Sequence, residues 1–340
     1  MIKKIITILI LLVSCQFFLV AQEENENLVT FTEKDGIPSN TVSSILQDHL
    51  GYIWIATDNG LLKYDGYTFH RVELTKTGES STYHPLTSYL FEDSELNLWI
   101  GVMGGVVKYN RTEETFHFYD LDSVYSLSQA LLAISVIEED TNGTIWLGVV
   151  DYFGSTVEDG LAYIKKGVND IKIFSSEHNS FDIKRIYDIE IDDKNNLWIS
   201  GSMGLSKLNL ETMSLEEIVF ENSPIKSFDS AILIDDKGRL WGGKWNSGFG
   251  SYEPSTGKVK EYSFSSTNSN SLSSNNVRSI IQDKDGTLWL GTDNGINHFN
   301  SETEKFNRYF YHQGLDINYK DIGIIRSILM DKSGSLWLGS

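Results

Sequence analysis

Seven of the eight tryptophans recur at near-constant spacing, and no other feature constrains the fold of this chain as tightly. Trp54, Trp99, Trp146, Trp198, Trp241, Trp289 and Trp337 follow one another at intervals of 43 to 52 residues. Six residues before each stands an aspartate: Asp48, Asp93, Asp140, Asp192, Asp235, Asp283 and Asp331. Three residues before, Gly51, Gly143, Gly238, Gly286 and Gly334 recur, with Asn195 in the fourth copy. Two residues after, the side chain is always small: Ala56, Gly101, Gly148, Ser200, Gly243, Gly291 and Gly339. A unit of this length cannot bury its apolar face alone, so such copies must stack on one another.

Each copy reads as four short strands, a to d. In the sixth, Val277–Ile281 is strand a, Thr287–Gly291 strand b, Ile296–Phe299 strand c and Lys305–Phe310 strand d. Asp and Gly punctuate them, because Asp accepts nearby backbone N–H groups and Gly tolerates positive φ. The spacing predicts an all-β, seven-bladed β-propeller of four-stranded antiparallel blades with an incomplete last blade. Blades packed on both faces account for strands such as Leu288-Trp289-Leu290, apolar on both sides. Leu28–Phe31 aligns on Phe306–Tyr309 and is expected to form a lone strand d. The sequence reaches Ser340 just after strand b of the seventh copy, so that strand would find no strand c and both edges would be open. The expectation is a fragment of a longer product, or a truncated gene.

Lys3 and Lys4 precede an apolar run, which predicts a secretory signal over residues 1–21 and a propeller over residues 22–340. Leu12-Val13-Ser14-Cys15 offers a lipidation alternative and an uncleaved anchor is a third, although the run is short for a span. The product is expected to be exported and periplasmic. Cys15 is the only cysteine, which excludes a disulfide framework and a cysteine-based metal site. The net charge of −19 argues against nucleic acid and anionic membrane surfaces, leaving membrane attachment to that anchor or to downstream segments.

The stretch Val42-Ser43-Ser44-Ile45-Leu46-Gln47-Asp48 through Gly51-Tyr52-Ile53-Trp54-Ile55-Ala56-Thr57-Asp58-Asn59-Gly60-Leu61 resembles the two-component regulator propeller repeat, as does Ser271-Leu272-Ser273 ahead of Val277. The resemblance covers residues 28–340. It implies the periplasmic sensor of a membrane-bound hybrid two-component histidine kinase feeding a phosphorelay, many of which respond to oligosaccharides. No kinase, receiver or DNA-binding segment is seen in these residues, which are expected to be non-catalytic; the full-length product would carry the kinase.

The chemistry-bearing residues divide into repeated and off-pattern ones. The aspartates read as caps of their own a–b turns, with a ring of calcium ligands as the alternative. The tryptophans read as inter-blade core, with a sugar-stacking platform as the alternative. The seven histidines show no metal-ligand spacing, no Gly-x-Ser-x-Gly elbow occurs, and no cofactor is expected. A sialidase-like enzyme would place its turn Asp five residues before the Trp and would need an arginine cluster; a lyase would need a His/Glu set that does not assemble. On the rim of the b–c and d–a loops, the third b–c loop is long and holds Asp151, Tyr152 and Phe153. The fifth carries the off-pattern Trp245 and Asn246. Variable loops on a rigid scaffold are where binding concentrates, so these five are the candidate ligand residues, suited to a neutral sugar or a cationic ligand. A secreted glycan-active enzyme and a protein-binding scaffold, including a homodimer, are the alternatives.

Overall fold

Asp/Gly turns alternating with short apolar strands give six four-stranded antiparallel sheets, each laid down in the order a–b–c–d. The computed structural model describes residues 29–39, 41–74, 86–121, 124, 132–151, 160–174, 185–220, 223, 226–309 and 323–340. Blade one is β1 (Val42–Gln47), β2 (Ile53–Thr57), β3 (Gly60–Tyr64) and β4 (Phe69–Val72). Blade two is β5 (Thr87–Glu92), β6 (Leu98–Val102), β7 (Gly105–Asn110) and β8 (Thr115–Asp120). Blade three is β9 (Leu132–Glu139), β10 (Ile145–Asp151), β11 (Gly160–Ile164) and β12 (Ile171–Ile173). Blade four is β13 (Ile186–Ile191), β14 (Asn196–Gly201), β15 (Gly204–Asn209) and β16 (Ser214–Ile218). Blade five is β17 (Ile232–Ile234), β18 (Leu240–Lys244), β19 (Gly248–Glu253) and β20 (Lys258–Tyr262). Blade six is β21 (Val277–Gln282), β22 (Leu288–Thr292), β23 (Gly295–Asn300) and β24 (Lys305–Tyr309).

The seventh copy forms only a hairpin, β25 (Ser327–Met330) and β26 (Leu336–Gly339). The expectation of seven blades is corrected accordingly: among the described residues there are six complete blades and a two-stranded seventh, because Ser340 is reached before a third strand. The expected N-terminal strand d is not seen among the described residues. Val29–Phe31 carry no strand, and Leu28 lies outside the described residues. The expected signal segment, residues 1–21, lies outside the described residues as well. Thr32–Ser340 form one compact unit and Met1–Phe31 another.

Within Thr32–Ser340 the seven strands a contact one another in succession, and β25 contacts β1, so the inner ring closes despite the short last blade. The Val42 N–H donates to the Ser340 carbonyl at 2.9 Å, and the Ile45 N–H to Ser327 Oγ at 3.0 Å. The small residue after each Trp marks where adjacent blades approach most closely. A Cβ on Gly101 would lie 2.8 Å from Ile134 Cβ of the next blade, and one on Gly291 2.8 Å from Ile325 Cγ2. A larger side chain there would push neighbouring inner strands apart.

The tryptophans fill the outer part of each interface. Five of them are only 1–3% exposed. At about 25 cal/mol per Å² of apolar area removed from water, burial of such rings is a large favourable term in the blade-to-blade contact. Three of them are covered by an aromatic ring of strand c of the following blade: Tyr109 lies 6.2 Å from Trp54, Tyr252 6.2 Å from Trp198, and Phe299 5.6 Å from Trp241. Tyr64 of blade one covers Trp337 at 5.6 Å across the closure.

Candidate functional site

The seven aspartates bind within their own blades, and Asp48 also accepts from Arg111 Nη2 of blade two at 3.3 Å. Each accepts the indole N–H of its tryptophan on Oδ2, at 2.7 Å for Asp93–Trp99 and 3.2 Å for Asp283–Trp289, with the other five between. In six copies Oδ1 accepts the N–H four residues on, as from Tyr52, Asn97, Thr144, Asn196, Arg239 and Ser335. Blade six differs: Asp285 takes the Thr287 N–H at 3.0 Å in place of Asp283. The six-residue spacing is thus the reach from the turn to the indole of strand b. With their lone pairs taken by N–H donors, these carboxylates are not presented as a ring of cation ligands. No group of three or more His, Cys, Asp or Glu among the described residues is placed to hold a metal.

On that same face the residue before the aspartate stitches blades together. The amide after Asp48 donates to Glu92 Oε2 at 2.9 Å, and the amide after Asp93 to Glu139 Oε2 at 2.6 Å. The amide after Asp235 donates to Gln282 Oε1 at 3.0 Å, and the amide after Asp331 to Gln47 Oε1 at 2.7 Å. The last of these bridges blades seven and one.

The opposite face carries the off-pattern side chains. Trp245 follows β18 in the b–c loop of blade five and is 45% exposed. The Arg278 guanidinium, from strand a of blade six, stacks on its indole at 4.6 Å from the ring centroid. Arg278 Nε donates to Asp293 Oδ1 at 2.6 Å, and Asn276 Nδ2 to Asp293 Oδ2 at 2.9 Å. Burial pushes the Asp293 carboxyl up, but these two donors outweigh it and hold the group below the usual range. The loop is fixed by its backbone. The Trp245 N–H donates to Asp229 Oδ1 at 2.7 Å, the Asn246 N–H to Asn276 Oδ1 at 2.7 Å, and Lys244 pairs with Asp229. Asn246 adopts φ of 57°, a left-handed turn that asparagine tolerates better than most residues. The result is an exposed indole held by residues from two blades, beside an amide and paired charges.

The other expected residues are not part of this group. Asp151 ends β10 and is buried in blade three, two blades away. Tyr152 and Phe153 lie outside the described residues. Sequence reasoning missed Arg278, Asn276, Asp229 and Asp293. Comparing copies would have flagged one of them: five residues before the repeat Asp stand Ser43, Ser88, Ser135 and Ser230, against Tyr187, Arg278 and Arg326.

A second unread group lies on the inner strands. Glu138 of β9 and Asp188 and Glu190 of β13 stand near one another and near Tyr89 of β5. Burial raises all four, and mutual repulsion adds to it for Tyr89, Glu138 and Glu190. Glu138 is pushed up to about 8 and Asp188 to about 7. Asp188 Oδ2 also accepts the Ile232 N–H of blade five at 2.9 Å, tying blades four and five.

Comparison with known proteins agrees with this geometry. The family described as two component regulator propeller matches residues 36–59 and 271–294, the segments that contain Asp48–Trp54 and Asp283–Trp289. Histidine kinase P4 of Formosa agariphila is 28% identical over 317 residues, covering 87% of this chain and 22% of the kinase. The extracellular domain assigned to the hybrid two component system BT3049 of B. thetaiotaomicron superposes with a TM-score of 0.69 at 20% identity, over 92% of this chain and 40% of that one. Virginiamycin B lyase from Staphylococcus aureus superposes with a TM-score of 0.65 at 16% identity, over 92% and 94%. At these identities the two superpositions establish a shared fold. The chain spans well under half the length of both the kinase and the BT3049 domain. Two of its repeats are thus similar to the two component regulator propeller repeat, and its fold to that of the BT3049 domain.

Proposed function

We propose that this propeller is the exported, periplasmic ligand-sensing part of a two-component signal-transduction sensor, itself non-catalytic, and that it binds an oligosaccharide or similar extracellular cue on the b–c/d–a face. The observation that carries the reading is the exposed Trp245 held by Arg278 of the next blade. An indole fixed in this way offers a flat stacking surface at little further cost in side-chain entropy. Asn246 and the paired charges around Asp293 and Asp229 would read hydroxyl groups beside it. Because the site draws on blades five and six, ligand binding would act on the interface between them. That is a route by which occupancy reaches a kinase.

The test is calorimetry of the purified chain against a panel of neutral oligosaccharides, repeated with Trp245→Ala. The expected result is saturable binding that the substitution abolishes while the circular dichroism spectrum is retained. Unchanged affinity in the variant would overturn the site. Turnover of a polysaccharide by the purified protein would replace a sensor with a glycan-active enzyme.

A further inference from the structure

Five residues before each repeat aspartate, strand a meets the b–c/d–a face. In blades one, four and six this residue is Ser43, Tyr187 or Arg278, and it lies at an irregularity of the a–b ladder. Such a bulge re-aims one side chain away from the ladder. Serine at this position joins the inner strands. Ser43 Oγ donates to the Thr87 carbonyl of blade two and Ser230 Oγ to the Val277 carbonyl of blade six, both at 2.8 Å. Arginine replaces it in two successive blades, as Arg278 in blade six and Arg326 at the start of blade seven.

The b–c turn of blade six, Thr292–Gly295, is held between these two arginines. On one side the Asp293 N–H donates to the Asn276 carbonyl at 3.2 Å, and on the other the Ile325 N–H donates to the Thr292 carbonyl at 2.9 Å. The Asp293 carboxylate is bound by Arg278 at 2.6 Å and lies within electrostatic reach of Arg326. Arg326 is half-buried and its backbone N–H donates to the Gly339 carbonyl at 2.8 Å. Its guanidinium has no hydrogen bond or ion pair among the described residues. Blade one has the same turn, Thr57-Asp58-Asn59-Gly60, but serines, Ser43 and Ser88, at the two flanking positions.

The local charge runs against that of the chain. Lys244, Arg278 and Arg326 stand against two carboxylates, Asp229 and Asp293, each already paired with one of the first two. The bordering connection from Ser263 to Asn276 holds no charged residue and is rich in Ser and Asn. One cation is left over beside an exposed indole, on a chain whose net charge is −19.

We infer, on the reading that this rim binds an oligosaccharide, that the oligosaccharide is acidic: Arg326 takes its anionic group, a uronate carboxylate or a sulfate ester, while a sugar ring stacks on Trp245. A guanidinium matches either group with two parallel N–H donors. Arg278, committed to Asp293 and to the face of Trp245, fixes the stacking surface relative to the Asp293 turn that Arg326 adjoins.

The probes are tetragalacturonate and a sulfated galactan tetrasaccharide, each titrated calorimetrically into the 340-residue protein beside its neutral counterpart, the methyl ester or the desulfated sugar. The expected result is that one charged probe binds at least about tenfold tighter than its counterpart, and which one does so identifies the anionic group. Arg326→Gln should abolish that preference and leave affinity for the neutral counterpart unchanged. Raising the salt concentration should weaken the charged probe alone, a readout on unmodified protein that decides the matter if the variant does not fold. Equal affinity for charged and neutral probes, binding of neutral sugars only, or a preference that survives Arg326→Gln would overturn the inference and leave the Trp245 site standing. Absence of binding by every charged and neutral sugar would remove the site itself, and the inference with it.

Discussion

The two faces of this propeller obey different rules. On the face of the a–b turns, one solution repeats: an aspartate binds its turn amides and its indole, and in several blades Gln or Glu from the next blade takes the amide after it. On the face of the b–c and d–a loops the described blades diverge: blades one and six share a Thr-Asp-Asn-Gly turn in which the threonine hydroxyl donates to the glycine carbonyl, and blade five departs from it. There Trp245 meets Arg278, while Arg326 and Tyr187 hold the positions that serine fills in four other blades. The difference teaches that repetition marks where structure is enforced. Function is free to develop where the constraint is lifted.

Removing a repeated aspartate should break the first face most severely. Asp48→Ala strips acceptors from the Tyr52 amide and the Trp54 indole at a site only 1% exposed. Leaving such donors buried costs about 3 kcal/mol, which chemical denaturation would read as a lower midpoint. Asp283→Ala should cost less, because Asp285 already holds its turn. Equal losses would show that the turn bonds matter little and the indole bond carries the effect.

Trp245→Ala tests the second face from the other side. Its effect on stability should stay within about 0.5 kcal/mol, as for an exposed position. Oligosaccharide binding should fall by at least about tenfold, read by calorimetry. A large loss of stability would show that this loop is framework after all.

The inner carboxylates add a pH dependence that neither face predicts. In the folded protein Glu138 titrates at about 8 and Asp188 at about 7, against ordinary values of 4.5 and 3.8, so the folded state holds protons that the unfolded chain releases. Their contribution is fully present below the ordinary values and is lost as pH rises through 7 to 8. Stability to urea should therefore fall from pH 5 to pH 8.5. Glu138→Gln should flatten that fall by on the order of 1 kcal/mol, leaving the variant the more stable protein at pH 8.5. The smallest effect is expected for Gln47→Ala, which removes one stitch across the ring closure, at about 1 kcal/mol.

Much of the framework is legible because a repeat prints the same local physics many times. The Asp-x5-Trp spacing, the small residue after each Trp and the Gly/Asp turns place strands to within a residue or two, as in blade six. The indole bond to Asp was not read from spacing alone, since it depends on how the turn brings the carboxylate over strand b. Within the candidate site, Trp245 and Asn246 stand out as departures from the repeat. Arg278 and Asp293, which hold the indole, are some 30 to 50 residues further along and belong to the next blade. Glu138 and Asp188 are likewise 50 residues apart and meet only at the inner ring.

The sequence by itself therefore determined the unit: its length, its turns, its buried tryptophan and the apolar strands on both faces, all consequences of local backbone preference and of the need to bury each unit on the next. Only the tertiary structure decided that the inner strands close a ring with a two-stranded last unit, and which side chains of different blades meet. Those outcomes depend on where distant strands come to lie in space, and a local pattern does not encode distances across an interface.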